Sequence, residues 1–263
     1  ALLPLRAWAA PSPMQPVPLC TARRPVVVVK LPRTASTALG HLLNGTGAWC
    51  SVVNEVTNPA GARHNFTLTT PAACHEATRE AARVLDGCQG HPSASHLPGA
   101  FTLNLLKFHM PLGCLEPFAQ AVRARRPVVF VLSRANVVHQ AVSALRARAA
   151  LKATGRVDCA YLARPPPDCN STGHQSMRLR VGAVIQEAQA AEHNTRLMQR
   201  HARRLTAPGE AVHPVSYEAV VRDPAGTVAA MLARSGCSGD LAAAVQAQLH
   251  GSAPLAPVAS KAR

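Results

Sequence analysis

The chain contains no Gly-Lys-Ser or Gly-Lys-Thr sequence, which the Walker loop of ATP- and GTP-binding proteins requires. Its eight cysteines form no Cys-x-x-Cys pair, so a zinc ribbon is not expected. No apolar run approaches the roughly 18 residues of a membrane-spanning helix. Aromatic residues make up only 3% of the sequence, and Asp and Glu together number 13. These absences argue against an ordinary P-loop kinase and against a zinc-ribbon protein.

Positive charge, in contrast, is abundant. The 28 Lys and Arg residues against 13 acidic residues give a formal net charge of +15 with histidine neutral. Such a balance suits nucleic acid, an acidic membrane or an anionic small ligand. The basic residues are spread over predicted helices, and no nucleic-acid-binding signature accompanies them. An anionic nucleotide, with a polyanionic or sugar acceptor, is therefore favoured over nucleic acid.

Cysteines and glycosylation sequons both indicate an oxidising compartment. The cysteines are even in number and widely spread, as in disulfide-bonded secreted proteins. Three Asn-x-Ser/Thr sequons begin at Asn44, Asn65 and Asn170. We therefore predict the secretory pathway. The Pro- and Ala-rich residues 1–22 are expected to be a stem or linker, which a signal or membrane anchor could precede in a longer chain.

Two pairs of cysteines lie close enough in sequence to close short disulfide loops. Cys74 and Cys88 flank a predicted short helix, and Cys159 and Cys169 flank a Pro-rich turn. The spacing leaves the other pairings open, because connectivity cannot be deduced from cysteine positions alone.

Residues 26–43, VVVVKLPRTASTALGHLL, predict an anion-binding unit. The four valines are typical of a fully buried strand, and apolar residues then resume at helical spacing, so a helix should begin near Ser36. The loop between them and the helix N-terminus present free N–H groups and the positive end of the helix dipole to one point. Arg33 adds a cation and three hydroxyls add donors, so the expected ligand is a phosphate or sulfate. A strand-to-helix turn that binds nothing is the alternative.

A second strand–loop–helix unit follows later in the chain. Val128–Leu132 predict another buried strand, Arg134 stands at its end, and Asn136 can cap the next helix, along which Ser143 lies. Ligands of open α/β sheets gather at the carboxyl ends of the strands. We therefore expect Arg134 to meet the same ligand as Arg33.

Together the two units resemble the nucleotide-binding motifs of sulfotransferases that use 3′-phosphoadenosine 5′-phosphosulfate (PAPS). The loop P-R-T-A-S-T is similar to the family's 5′-phosphosulfate loop, P-[KR]-[ST]-[GA]-[ST]-[ST], with Ala35 in place of the usual Gly. The sequence from Arg134 is similar to the 3′-phosphate motif of the trehalose 2-sulfotransferase type, R-x-[DN]-x-x-x-Q-A-V-S-x-x-R-A, with Asn136 where Asp is expected. The late segment P-V-S-Y-E-A-V-V-R-D-P resembles a strand-to-helix segment of the family, whose Tyr and Glu we interpret as structural.

The resemblance implies a fold and a domain organisation. The expected fold is a three-layer, P-loop-like α/β fold with a central parallel sheet flanked by helices. One sulfotransferase-like domain should cover residues 23–250, followed by a Pro/Ala-rich tail, residues 251–263. Residues 60–100 and 152–175 match the family poorly and are expected to be loop-rich insertions, with one helix in the first over residues 72–86.

The resemblance also implies an activity. The protein should move a sulfuryl group from PAPS to a hydroxyl or amine of a carbohydrate or glycoconjugate, without a metal ion. It should do so in the Golgi lumen, as a type II membrane protein or a secreted one. Three rival interpretations remain: an atypical P-loop nucleotide kinase, a non-enzymatic protein that binds heparin-like polyanions, and a degenerate sulfotransferase that binds without catalysing transfer. The motifs do not indicate the acceptor's identity or the oligomeric state.

Family roles carry over to individual positions. Arg33 is expected to stabilise the sulfonate and bridging oxygens as the nucleotide leaves. Glu55 is the expected catalytic base, with His109 and His64 in reserve, and Lys107 is expected beside Glu55 on the acceptor side. The residues expected to hold the nucleotide are Pro32, Arg33, Thr34, Ala35, Ser36 and Thr37 for the 5′-phosphate, and Arg134 and Ser143 for the 3′-phosphate.

A long helix is predicted over residues 178–205 from its apolar periodicity. The residues expected to face inward are Val181, Val184, Ile185, Ala188 and Ala191. Its arginines are expected to form a solvated face, because charge runs usually do. A track for an anionic glycan is the functional alternative.

Overall fold

In a computed structural model, the protein is described over residues 24–34, 36–50, 52–53, 71–87, 98–103, 112–154 and 179–251. These residues form an α/β fold in which helices flank a central, all-parallel sheet of five strands. The strands are β1 (Val26–Lys30), β2 (Val52–Val53), β3 (Ala100–Leu103), β4 (Val128–Ser133) and β5 (Val212–Ser216). The helices are α1 (Ser36–Gly45), α2 (Pro71–Asp86), α3 (Leu112–Arg123), α4 (Val137–Thr154), α5 (Val181–Arg203), α6 (Tyr217–Arg222), α7 (Pro224–Arg234) and α8 (Leu241–Gly251). None of these helices is both long enough and apolar enough to cross a membrane. The predicted α/β class with a central parallel sheet is confirmed.

The strand order is β2-β3-β1-β4-β5, with β1 at the centre. From β1 the chain passes through α1 to β2 at one edge of the sheet, and from β4 it passes through α4 and α5 to β5 at the other edge. The direction of the connections therefore reverses between β1 and β4. Ligands of open parallel sheets bind in the crevice outside the carboxyl ends of the strands at such a reversal.

Both faces of β1 are covered by helices, which explains its unbroken run of valines. Side chains alternate along a strand, so Val27 and Val29 pack into one apolar cluster with α2, α3 and α5. Val26 and Val28 pack into the other cluster with α1, α7 and α8. All four valines are 0% exposed, and burying each contributes roughly 1.5–3 kcal/mol.

Helix α2 spans Pro71–Asp86, close to its predicted range. The inward face is also as predicted, since its buried residues are Ala77, Ala81, Val84 and Leu85. The first insertion therefore contains this helix, and the second begins within the last turn of α4. The predicted stem and all of the predicted tail beyond residue 251 lie outside the described residues.

The inward face predicted for the long helix is wrong at Val181 and Ile185 and is confirmed at Ala191. Helix α5 spans Val181–Arg203, but Val181 is 74% exposed and Ile185 is 52% exposed. The buried residues are Ala191, Met198 and Ala202. At about 100° per residue, Ile185 lies roughly 120° around the helix from Ala191. The prediction followed the apolar residues, whereas the packed face is a stripe of mostly small residues.

A disulfide joins Cys74 on α2 to Cys114 on α3, with 5.6 Å between their Cα atoms. This pairing corrects the suggested loop between Cys74 and Cys88. Cys50 and Cys237 are also disulfide-bonded, so no cysteine in the described ranges is free. The suggested pair of Cys159 and Cys169 lies outside them. Disulfides persist in oxidising compartments, which agrees with a secreted or lumenal protein.

Candidate functional site

The loops that follow β1 and β4 leave the sheet side by side. The two strands pair in parallel along their length, with Lys30 opposite Leu132 near the carboxyl end. The loop after β1 carries Arg33 and leads into α1, and the loop after β4 carries Arg134 and leads into α4. The structure thus brings the two arginine-bearing loops to one edge of the sheet, at the crevice where the connections reverse.

The loop after β1 is an internally braced turn. Arg33 has a φ of 69°, in the left-handed region that residues other than glycine seldom adopt. Thr34 is fully buried, and its hydroxyl donates to the carbonyl oxygen of Leu31 at 2.8 Å. A hydroxyl has one hydrogen, so this bond leaves the Thr34 side chain no donor for a phosphate.

Helix α1 begins at Ser36, as predicted, and its N-terminus follows the loop at the carboxyl end of β1. Its first turn contains no acidic residue that would neutralise the positive end of the helix dipole. Ser36 is buried, whereas Thr37 and Pro32 are exposed. The N-terminal turn therefore offers both a sheltered and an accessible hydroxyl to an anion.

Gln140, in the first turn of α4, connects that helix to the loop after β1. Its side-chain amide donates to the carbonyl oxygen of Pro32 at 3.1 Å, across 108 positions of sequence. The side chain is only 4% exposed, and its Oε1 has no hydrogen-bond partner. Ser143, three residues further along α4, lies on the same side of the helix. Sequence analysis quoted Gln140 within the motif but gave it no role.

The start of α6, directly after β5, contacts Arg134. The Arg134 guanidinium lies over the ring of Tyr217, 4.2 Å from its centroid. The next residue, Glu218, accepts hydrogen bonds from the backbone amides of Ala135 at 3.1 Å and Asn136 at 3.2 Å. Sequence analysis interpreted Tyr217 and Glu218 as structural and missed these contacts. No local signal announces them, because β4 and β5 are far apart in sequence.

Electrostatics at the start of α6 favour the ionised carboxylate of Glu218. Burial raises the pKa of Glu218, but hydrogen bonds from the amides of Ala135, Glu218 itself and Asn136, together with the charge of Arg134, outweigh burial and leave that pKa lowered.

The side-chain oxygen of Asn136 accepts a hydrogen bond from the amide of His139 at 2.9 Å, which confirms that Asn136 caps α4.

Lys30 is a further cation that sequence analysis did not select. It is the last residue of β1 and only 6% exposed. The alternation along the strand puts it on the α1 side of the sheet, with Val26 and Val28. Three basic residues therefore stand at or beside the carboxyl ends of the two central strands: Lys30, Arg33 and Arg134.

The residues expected to carry the acceptor chemistry lie outside the described residues. They are Glu55, His64, Lys107 and His109. Ala35, which is expected to help hold the 5′-phosphate, also lies outside the described residues. The other residues expected to hold the nucleotide are described.

The arginines of α5 lie away from this crevice. Helix α5 leads into the start of β5, so its last turns lie near the amino ends of the strands, roughly 15–20 Å from the loops by the length of a strand. The arginines of this face are all exposed, as predicted: Arg196, Arg200, Arg203 and Arg204. Neighbouring arginines at that edge are paired, Arg123 with Glu116 and Arg125 with Asp86. These positions favour a solvated face over an acceptor track leading to the loops.

No model of a known protein family matches the chain, and no curated protein matches it. A functional proposal therefore rests on the motifs and on the geometry of the two loops and the start of α6.

Proposed function

We propose that this protein is a sulfotransferase that moves a sulfuryl group from PAPS to a hydroxyl or amine of a carbohydrate or glycoconjugate. One observation carries the proposal: two arginine-bearing loops follow adjacent parallel strands, and Gln140 of α4, the helix after the second loop, donates a hydrogen bond to Pro32 of the first loop. PAPS carries anionic groups on both its 5′ and 3′ oxygens, so it needs two such loops at one crevice. The central parallel sheet is compatible with a P-loop-like fold, which is part of the proposal.

In the proposed site each loop takes one end of the nucleotide. Arg33, Ser36 and Thr37, with the amides at the start of α1, hold the 5′-phosphosulfate. Arg134 and Ser143 hold the 3′-phosphate. The Thr34 hydroxyl, which donates to Leu31, supports the turn instead of the ligand.

The proposed reaction is an in-line displacement at sulfur. The acceptor oxygen or nitrogen forms a bond to sulfur while the bond from sulfur to the bridging 5′-phosphate oxygen breaks. The electron pair of that bond leaves with 3′-phosphoadenosine 5′-phosphate (PAP), and the acceptor proton goes to a base, for which Glu55 is the proposal and His109 the reserve. Arg33 stabilises the negative charge that develops on the leaving oxygen. Positioning and charge supply the catalysis, and no metal ion takes part in the proposal.

The Golgi lumen is the proposed location. The disulfide between Cys74 and Cys114 and the three sequons support a lumenal site, where glycoconjugate acceptors are available.

Arg33→Ala tests the activity directly. We expect PAPS-dependent release of PAP, screened over a panel of glycan acceptors, to fall by about 10²-fold or more, because the variant loses charge stabilisation in the transition state. The matched control is Arg196→Ala, an exposed arginine on α5, which should turn over like the parent. Equal melting temperatures would show that all three proteins fold. An Arg33→Ala variant as fast as the parent would refute the assignment.

A ligand screen separates the rival functions. PAP should raise the melting temperature of the parent, since a ligand that binds only the native state stabilises it. Stabilisation by ATP with Mg²⁺ but not by PAP would indicate a kinase. Salt-sensitive binding of heparin without any response to PAP would indicate a polyanion-binding protein.

A further inference from the structure

Strand pairing places the start of α6 beside the loop after β4. The last residues of β4 and β5 are register partners, Ser133 with Ser216. When two paired parallel strands end at register partners, the residues that follow them also lie next to each other. Here those residues are Arg134 after β4 and Tyr217 after β5. The sheet therefore brings these two residues side by side, and their side chains complete the contact.

We propose that Tyr217 and Glu218 are positioning residues, which hold the Arg134 loop in the conformation that receives the 3′-phosphate. The inference rests on the proposed function for its ligand. Neither residue needs to touch the nucleotide to act in this way.

Tyr217 orients the guanidinium without competing for its hydrogen bonds. Arg134 Cζ lies over the Tyr217 ring, 4.2 Å from the ring centroid. The face of an aromatic ring attracts the cation without taking its N–H donors into hydrogen bonds with oxygen, so the donors remain available for two-point contact with phosphate oxygens. The Nε of Arg134 is buried and has no hydrogen-bond partner, which makes the ring a principal contact fixing this group among the described residues.

Glu218 fixes the backbone that carries Arg134. Its two carboxylate oxygens accept separately from consecutive amides, those of Ala135 and Asn136, immediately after Arg134. Two bonds to one carboxylate restrain the turn more than either bond alone. The same Asn136 caps α4, so the restraint is shared with the helix that carries Gln140 and Ser143.

The experiment compares Tyr217→Leu, which removes the ring, with Tyr217→Phe, which keeps it. We expect Tyr217→Leu to raise the apparent KM for PAPS and the Kd for PAP by about 2- to 30-fold, the range of a cation–π contact. Its kcat at saturating PAPS should stay at the parent value. Tyr217→Phe should match the parent in all three constants. In an Arg134→Ala background, Tyr217→Leu should cause no further loss.

Two results with these variants would overturn the proposal. Equal losses in Tyr217→Phe and Tyr217→Leu would mean that the hydroxyl acts directly. If Tyr217→Leu weakened PAP binding as much in the Arg134→Ala background as in the parent, Tyr217 would act independently of Arg134. Melting temperatures identify a variant that does not fold, and Tyr217→Met, with a flexible apolar side chain, then replaces Tyr217→Leu.

A second measurement needs no ligand. Glu218→Ala should speed hydrogen–deuterium exchange at the amides of Ala135 and Asn136, whereas Glu187→Ala, a carboxylate on α5, should not. Unchanged exchange in Glu218→Ala would overturn the positioning role. If the parent binds no PAP, the proposed function fails. The hydrogen–deuterium exchange measurement would still show whether Glu218 holds the Arg134 loop.

Discussion

Arg33 illustrates how a single residue is held against its preference. Its left-handed backbone, at a φ of 69°, costs about 1–2 kcal/mol for a residue with a side chain. Two hydrogen bonds brace that turn: Thr34 to the Leu31 carbonyl, and Gln140 to the Pro32 carbonyl. Backbone strain that is retained in this way is found at ligand sites more often than elsewhere, which supports a binding role for this loop.

A pH-dependent contribution to stability is expected from His213 on β5. Its ring lies 5.6 Å from that of Phe130, and burial, followed by the charges of Arg234 and Arg24, lowers the pKa of His213, with Glu210 acting in the opposite direction. The unfolded chain therefore takes up this proton at a higher pH than the folded protein does. Stability should be full above the ordinary histidine pKa of about 6.5 and should fall as pH drops below it.

The variant His213→Gln should show a smaller loss of unfolding free energy between about pH 6.5 and 5, because it removes the titrating group. Denaturant titrations across that range measure the slope, and His193→Gln, at an exposed position on α5, is the control. The same slope in His213→Gln and the parent would contradict the prediction.

Helix α7 has a side-chain N-cap, Asp223, and we expect the stability of the helix to depend on it. Asp223 accepts from the amide of Gly226 at 2.8 Å, and Pro224 occupies the first helical position. The helix buries Val228, Met231 and Leu232 against the α1 side of the sheet. Fraying of this end would therefore loosen the packing under β1.

Asp223→Ala should lower the unfolding free energy by about 0.5–2 kcal/mol. Asp223→Asn, which keeps a capping oxygen, should lose much less. Denaturation of the three proteins at neutral pH provides the comparison. Equal losses in both variants would show that charge, and not the cap, accounts for the effect.

The edge strand β5 and the interior strands of the sheet differ in residue composition. β5 contains Pro214, which cannot donate to a ladder, and it lies at the edge of the sheet. β1 and β4 lie inside the sheet and are rich in β-branched residues. The composition of each strand thus agrees with its position.

At the scale of the whole molecule, the disulfide between Cys74 and Cys114 links two helices on one face of the sheet. The two cysteines are 40 positions apart, and the chain-entropy model assigns a loop of that size a stabilisation of about 4 kcal/mol. Cys74 and Cys114 also pack in the apolar cluster with α2 and α3.

Replacing both Cys74 and Cys114 with Ala should lower the unfolding free energy by about 2–5 kcal/mol under non-reducing conditions. Denaturant titration of the parent and the double variant measures the loss. Adding a reducing agent should make the unfolding free energies of the parent and the double variant more similar. An unchanged unfolding midpoint in the double variant would show that this bond is dispensable.

Sequence by itself determined the features that depend on local pattern. The buried strand at Val26, the start of α1 at Ser36, the extent of α2 and the cap at Asn136 all follow from apolar runs, helical spacing and capping chemistry within a few residues. The two phosphate-type motifs could be found for the same reason. Their functional roles remain proposals, because a motif records residue types and not a ligand.

Tertiary structure alone decided which distant residues meet. The contact of Glu218 with Ala135 spans 83 positions, and it exists because β4 and β5 pair in one particular register. Likewise, the packing of α2 against α3 places Cys114 next to Cys74, and the packing of α5 leaves Ile185 exposed to solvent. The physical reason is common to all three cases: each is decided by how whole strands and helices pack together, which no short stretch of sequence encodes.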